Sequence, residues 1–368
     1  MCWDELETSG KLAREIVVTP PVEANYVLVS PMQMPTLRPD YILVKVVCVA
    51  LNPTDWKKIQ QTAFDYEKPL TVGCDFSGVV EEVGSEVTRP FKPGDRVWGF
   101  AHSCNTAQPE DGSFAEYIVA KGNVTVRIPD NMGFAEAASL GVQVYTVGQG
   151  LYQSLKLPWP TEPTKPENKF PVLIYGGSTA MGTLAIQMAK LSGLEVITTC
   201  SLKNFDFVKS FGADKVFDYR SPTVGSDIRQ YTNNKLRYVW DTIGEGQAPQ
   251  ICADALSSSS SPEFSLHYST IVLGEFPRAD VKTDITLVYT IFNEAFNFYG
   301  SIKVDVMPQN FPFAEKWGSL VGEFFGEKRL VPHPVEVRGG LEKIGEGLKD
   351  LEEGRVSAKK LVYRVSDS

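Results

Sequence analysis

The chain has 368 residues, 43% of them hydrophobic and 22% charged, with 36 Lys and Arg against 45 Asp and Glu and a net charge of −9. That length suits about two domains, and the hydrophobic share is that of a folded chain with a sizeable core rather than a disordered one. The acidic balance argues against nucleic-acid binding, which needs a basic face.

No apolar run approaches the ~20 residues of a membrane span. The first residues, Met1-Cys2-Trp3-Asp4-Glu5-Leu6-Glu7, are acidic and lack the basic and apolar segments of a secretory signal. A soluble, cytosolic protein is predicted.

The first predicted elements are short β-branched runs at 16–18, 41–47 and 78–83. Gly84-Ser85 and Lys92-Pro93-Gly94-Asp95 supply turns, and residues 96–100 and 115–119 add two strands. The stretch from 12 to 125 therefore predicts an all-β unit, a partly closed barrel. At Asn131 the texture changes. Phe134-Ala135-Glu136-Ala137-Ala138 opens a predicted helix that continues through Val144 and Leu151 with apolar spacing near 3.6. Pro158, Pro160, Pro163, Pro166 and Pro171 then form a stiff connector.

Beyond the connector, strands alternate with helices. Strands are predicted at 172–175, 195–199, 215–217, 237–241 and 269–274, with helices at 181–191 and 205–211. This alternation predicts a parallel sheet covered on both faces. The serine run at 257–261 reads as a loop. A helix-like 341–351 and a strand-like 360–365 are expected to return to the first unit. The fold class is thus α/β, with one domain at 1–150 rejoined by 310–368 and a second at 151–309.

The six cysteines, Cys2, Cys48, Cys74, Cys104, Cys200 and Cys252, are scattered without a Cys-x-x-Cys pair. Neither a disulfide framework nor a structural zinc site is suggested. With only His102, His267 and His333 as histidines, nothing in the spacing of Cys74, His102 and Cys104 requires a metal. No metal site is expected.

The strongest local signal follows the strand at 172–175: Gly176-Gly177-Ser178-Thr179-Ala180-Met181-Gly182, then a helix. Small residues at such a turn let the backbone approach a pyrophosphate, whose charge the helix N-terminal N–H groups stabilise. The run departs from G-x-G-x-x-G at Thr179 and Ala180, and a tight turn with no ligand is the competing reading. An NAD site places Asp or Glu at the end of the second strand. Thr199-Cys200-Ser201-Leu202-Lys203-Asn204 stands there instead. Its hydroxyl, amide and ammonium groups suit a 2′-phosphate, so NADP(H) is favoured over NAD(H), with a solvated surface lysine the alternative for Lys203.

Further motifs extend the pattern along the chain: residues 50–57 (ALNPTDWK), 73–80 (GCDFSGVV), 93–97 (PGDRV), 112–117 (GSFAEY) and 211–214 (FGAD). With them the chain resembles a medium-chain dehydrogenase/reductase over nearly its whole length, in the zinc-free quinone and enoyl reductase branch. Tyr175-Gly176-Gly177-Ser178-Thr179-Ala180, Cys200-Ser201 with Asn204-Phe205-Asp206, Val216-Phe217-Asp218-Tyr219-Arg220, the proline-rich insertion, Leu236-Arg237-Tyr238, Thr290-Ile291-Phe292 and Leu330-Val331-Pro332-His333-Pro334 make it most similar to fungal trans-acting enoyl reductases. These stand-alone enzymes serve polyketide synthases, or hybrids with a peptide synthetase.

The resemblance implies a GroES-like β-barrel domain and a Rossmann doubly wound parallel sheet. It implies cofactor contacts at Pro53, Thr54, Asp55, Trp56, Ser178, Thr179, Ala180, Met181, Ser201, Leu202, Lys203, Asn204, Tyr219, Leu273, Gly274, Val356 and Ser357. The substrate is expected along Leu140, Gly141, Val142, Gln143, Val144, Tyr145, Thr146 and Val147, and along Tyr289, Thr290, Ile291, Phe292 and Asn293. It further implies a monomer that docks on a megasynthase and its acyl carrier domain.

In the reaction so implied, hydride from NADPH reaches the β-carbon of an α,β-unsaturated acyl thioester while charge builds on the thioester oxygen. Lys57 is the candidate donor toward that oxygen or, alternatively, part of a proton relay. A solvated lysine, or one bound only to cofactor phosphate or ribose, is its alternative. Tyr145 is a weaker candidate, read rather as pocket wall or core, and Asp55 is expected to orient its loop. Two other functions stand beside this one: an NADPH quinone or small-enone reductase, and a non-redox protein that shapes a polyketide intermediate.

Overall fold

The computed structural model describes residues 12–18, 26–62, 69–298 and 302–367. Cys2 and the N-terminal segment read above lie outside them. The chain divides into two compact units, one made of residues 1–142 and 289–368 and the other of 143–288.

In the first unit, a seven-stranded sheet runs in the order Val335–Arg338, Lys360–Arg364, Tyr41–Ala50, Asp75–Val83, Arg96–Phe100, Val126–Arg127, with Tyr117–Lys121 also paired to Tyr41–Ala50. A smaller sheet joins Tyr26–Gln33, Leu12–Val18 and Leu70–Thr71. Tyr41–Ala50 is the hub, antiparallel to three other strands. Its pairing with Asp75–Val83 shifts register between Leu43 and Val44 and again between Val46 and Cys48, irregularities that bend a sheet. Ile42, Val44, Val46, Val49, Phe76, Val97, Phe114 and Ile118 are buried in one cluster, which supplies the hydrophobic drive for this unit. The strand Lys360–Arg364 sits in the same sheet. Helix Pro53–Thr62 leaves the hub strand directly after Leu51 and Asn52.

The second unit is a six-stranded sheet in the order Lys215–Asp218, Glu195–Cys200, Pro171–Tyr175, Tyr238–Asp241, Leu266–Thr270, Val281–Ile285, every pair parallel. Val172, Leu173 and Ile174 are fully buried, as strands covered on both faces require. The order reverses between Pro171–Tyr175 and Tyr238–Asp241, which makes the C-terminal ends of those strands the topological switch point.

Two local expectations are corrected. The β-branched run at 269–274 is not a strand beyond Thr270: the strand is Leu266–Thr270, and Leu273 is 52% exposed in the loop that follows. Sequence pattern placed it too late because Ile271, Val272 and Leu273 have strand propensity without a ladder to join. The helix opened at Phe134 is also not continuous, since Phe134–Ala138 ends at Ser139 and a second helix, Gly141–Gly148, follows. At Gly141 a Cβ would lie 2.4 Å from Asp75 Oδ1, so the chain must pass there without a side chain.

Candidate functional site

At the switch point the glycine-rich turn has the geometry of an anion cradle. Gly176 has φ +86°, a conformation that side chains disfavour, and a Cβ on Gly177 would meet Thr198 Oγ1 at 2.0 Å. Thr179 is extended (φ −76°, ψ 162°), and its Oγ1 accepts the Gly182 N–H at 2.9 Å. The residue that breaks the glycine pattern is therefore the N-cap of helix Ala180–Leu191. Thr179 Oγ1 also lies 3.2 Å from Thr242 Oγ1, joining the two loops that flank the switch point. The remaining first-turn N–H groups have no intrahelical acceptor and carry the positive end of the helix dipole. The turn is closed to a side chain at Gly177 by Thr198 and leads into these N–H groups at the switch point.

The neighbouring strand ends supply the polar groups around it. Cys200 pairs with Asp218 across parallel strands, which brings Ser201, Leu202, Lys203 and Asn204 beside Tyr219 and Arg220. Ser201 and Asn204 are buried, whereas Leu202, Lys203 and Tyr219 are exposed. Arg220, which the sequence reading passed over, carries its guanidinium 5.4 Å from the Tyr219 ring centroid. Asp241 Oδ1 accepts the N–H groups of Ile243 and Gly244 at 2.8 and 3.0 Å and so shapes the loop after its strand. Leu273 and Gly274 are exposed beyond the next strand.

In the first unit, the loop into helix Pro53–Thr62 is held by reciprocal polar contacts. Asp55 Oδ2 accepts the Asn52 N–H at 2.7 Å, and Asn52 Nδ2 donates to Asp75 Oδ2 at 3.0 Å. Asp55 therefore orients the loop, as the sequence suggested. Its carboxyl is wholly buried, which pushes its pKa up to about 7, with Asp75 adding to the rise. Lys57 is half-buried, its Nζ 5.7 Å from the Trp56 ring centroid.

Thr54 and Tyr289, assigned from the sequence to cofactor and substrate respectively, meet directly. Their hydroxyls are 3.1 Å apart, and Cys74 Sγ lies 3.5 Å from the Tyr289 hydroxyl. The Tyr289 ring stacks on the His102 imidazole with centroids 4.4 Å apart. Burial, and then Cys74, raises the Tyr289 phenol pKa well above its usual value. Burial and the nearby Lys58 hold His102 neutral, and burial keeps the Cys74 thiol protonated. Thr290 accepts from Asn310 Nδ2 at 2.7 Å, Ile291 and Phe292 are buried, and Asn293 is exposed with φ +58°.

Leu140, Gly141, Val142, Gln143, Val144, Tyr145, Thr146 and Val147 are all buried. Val142 N–H donates to Asp75 Oδ1 at 2.6 Å. Val356 is half-buried against the first unit's core, and Ser357 is exposed on the turn before Ala358, which has φ +55°. Among the described residues no group of three or more His, Cys, Asp or Glu is placed to hold a metal ion, and no helix is long and apolar enough to cross a membrane.

Sequence reading missed Lys58. Asp55, Lys58 and Ile59 fall at i, i+3 and i+4, one face of the helix, and all three are buried. That spacing was the available signal, obscured by the adjacent Lys57.

A mostly antiparallel unit and a parallel sheet with a glycine turn at its switch point are the two parts of a medium-chain dehydrogenase/reductase. Residues 38–130 match the alcohol dehydrogenase GroES-like domain and 180–259 the zinc-binding dehydrogenase family. Solved structures with the same fold include CurK enoyl reductase (TM-score 0.73, 19% identity, 97% of this chain and 100% of that one). An alcohol dehydrogenase superfamily protein from Novosphingobium aromaticivorans superposes with TM-score 0.76 at 20% identity, over 96% of this chain and all of that one. Trans-enoyl reductase TOXD of Cochliobolus carbonum is 50% identical over 77% of this chain and 91% of its own length. Trans-enoyl reductase ACTTS2 of Alternaria alternata is 44% identical over 92% and 96%. The chain belongs to the trans-enoyl reductase family, oxidoreductases acting on carbon–carbon double bonds, whose superfamily generally uses NAD(P)H.

Proposed function

We propose that the protein is a trans-acting enoyl reductase that reduces the double bond of an α,β-unsaturated polyketide acyl thioester presented by the acyl carrier domain of a polyketide synthase or a hybrid with a peptide synthetase. NADPH, when bound, supplies the hydride to the β-carbon, and the α-carbon then takes a proton as the enolate collapses. The observation that carries the reading is the tight glycine turn at Gly176 and Gly177 entering a helix N-terminus at the switch point, in a chain 50% identical to a trans-enoyl reductase.

The N-terminal turn of Ala180–Leu191 binds the pyrophosphate through the N–H groups of Ala180 and Met181. Ser201, Lys203, Asn204, Tyr219 and Arg220 receive the 2′-phosphate, which no carboxylate at 199–204 opposes. Pro53, Thr54, Asp55 and Trp56, with Leu273, Gly274, Val356 and Ser357, complete the cofactor contacts. Lys57 donates toward the thioester oxygen, where negative charge develops as the β-carbon is reduced. Leu140–Val147 and Tyr289–Asn293 line the acyl chain. The rest of the protein's work is positioning.

An NADPH-oxidation assay over enoyl thioesters of increasing chain length, run beside a simple quinone, tests the reading. Turnover of the thioesters well above the quinone is expected. Faster turnover of the quinone favours a quinone reductase, and absence of NADPH binding in a fluorescence titration sinks any redox role.

A further inference from the structure

Lys58 is 4% exposed, yet its ammonium is far from any solvated surface role. Nζ donates to the Ser103 carbonyl at 2.8 Å and lies 3.8 Å from the Tyr289 ring centroid. The groups that face it are Asp55 on its own helix, Cys74 and Cys104 on neighbouring loops, His102 and Tyr289. Cys74 and His102 are held uncharged by burial, so the ring face and the Ser103 carbonyl receive the cation alongside the Asp55 carboxyl.

We propose that Lys58 is a positioning residue whose ammonium seats the Tyr289 ring beside Thr54 and thereby fixes the Tyr289–Asn293 segment as the substrate wall. The inference rests on the enoyl reductase reading, which makes that segment a wall. The far end of the segment is tied by Glu294, which accepts from the Tyr41 hydroxyl and from Lys121 Nζ, each at 2.7 Å. Thr290 is tied by Asn310. At the Tyr289 end the cation bears on the ring face itself rather than through a carboxylate. Burial lowers the Lys58 pKa to about 8. Below that pH the charge is present and attracts the ring quadrupole; above it the attraction is lost while the aliphatic stem stays in place.

The test is the pH profile of kcat/KM for NADPH-dependent reduction of a medium-chain enoyl thioester of N-acetylcysteamine. Wild-type kcat/KM is expected to fall above pH about 8. Lys58→Met should lower it about tenfold at neutral pH, mainly through KM, leave NADPH affinity unchanged and abolish that limb. Lys58→Arg should keep most of the activity and move the limb out of range, because a guanidinium stays charged. A limb that persists in Lys58→Met, or Lys58→Arg as impaired as Lys58→Met, overturns the proposal. If the wild type reduces no enoyl thioester, the proposed reaction has failed and the near-UV circular dichroism of the tyrosine bands decides about Lys58. It should change across pH 8 in wild type and stay flat in Lys58→Met, and a flat wild-type signal overturns the assignment.

Discussion

Asp75 and Lys360 form an ion pair inside the first unit across 285 residues of sequence, with side chains 0% and 4% exposed. Asp75 also accepts from Asn52 Nδ2 and the Val142 N–H, and Lys360 Nζ donates to the Ser139 carbonyl at 2.9 Å. One carboxylate therefore ties the strand Lys360–Arg364 to the loop before helix Pro53–Thr62 and to the start of helix Gly141–Gly148. Burial raises the Asp75 pKa, and Lys360 pulls it back down. Lys360→Met strands this carboxyl without its cation and should cost about 3–5 kcal/mol in urea unfolding. Adding Asp75→Asn should recover part of that loss. A Lys360→Met protein as stable as wild type would show that the pair does not hold the fold.

The Asp55 carboxyl is kept at the base of the same loop with its pKa pushed up to about 7. A folded-state value above the unfolded one means the fold favours the protonated acid. The associated stability is complete below the unfolded pKa of about 4 and disappears as pH rises through about 7. Asp55→Asn keeps a side-chain oxygen for the Asn52 N–H and removes the ionisation. The variant should gain on wild type between pH 5 and pH 8 by a shift on the order of a few kcal/mol, read as the difference in Tm at the two pH values. Parallel pH dependence in both proteins would place the Asp55 pKa near its ordinary value.

Lys57 differs from Lys58 in being half-buried rather than buried. Lys57→Met should reduce turnover at least about tenfold with little change in NADPH affinity, since a donor to developing charge acts mainly in the transition state. Unchanged single-turnover reduction in that variant would remove Lys57 from the chemistry and leave it a cofactor ligand or surface residue.

Cofactor choice should be read at Lys203, exposed at the end of the second strand of the parallel sheet. Lys203→Glu opposes a 2′-phosphate directly but leaves a free ribose little affected, so NADPH affinity should fall at least about tenfold more than NADH affinity. Equal losses would exclude Lys203 from the phosphate site. Arg220, beside Tyr219 on the adjacent strand end, would then be the cation to substitute.

Much of the parallel sheet was legible, because buried strands there are continuous apolar runs and the turn between the first strand and helix is spelled in glycine. What escaped the sequence depends on distant partners. Lys58 carries no local mark that sets it apart from Lys57, and only the convergence of Ser103, His102 and Tyr289 makes it an interior cation. Residues 271–273 carry the right propensity for a strand, but the ladder stops at Thr270 and Ile285. Neither outcome is a property of local pattern, since each is set by which segments meet in space.

Thr179 is where the sequence signal and the geometry diverge most usefully. As a departure from the glycine pattern it weakened the nucleotide reading, whereas its hydroxyl caps the helix that would bind the phosphates. A cap loses about 1 kcal/mol on substitution by alanine and only a few tenths by glycine. Thr179→Ala should therefore unfold more easily than Thr179→Gly, although glycine is the larger truncation. Either change frees the Gly182 N–H that Thr179 now occupies, so NADPH affinity should stay within about threefold of wild type if the pyrophosphate is held by backbone donors. A tenfold loss in both variants, without loss of stability, would instead make the Thr179 hydroxyl a direct phosphate ligand and the cap a property of the free protein alone.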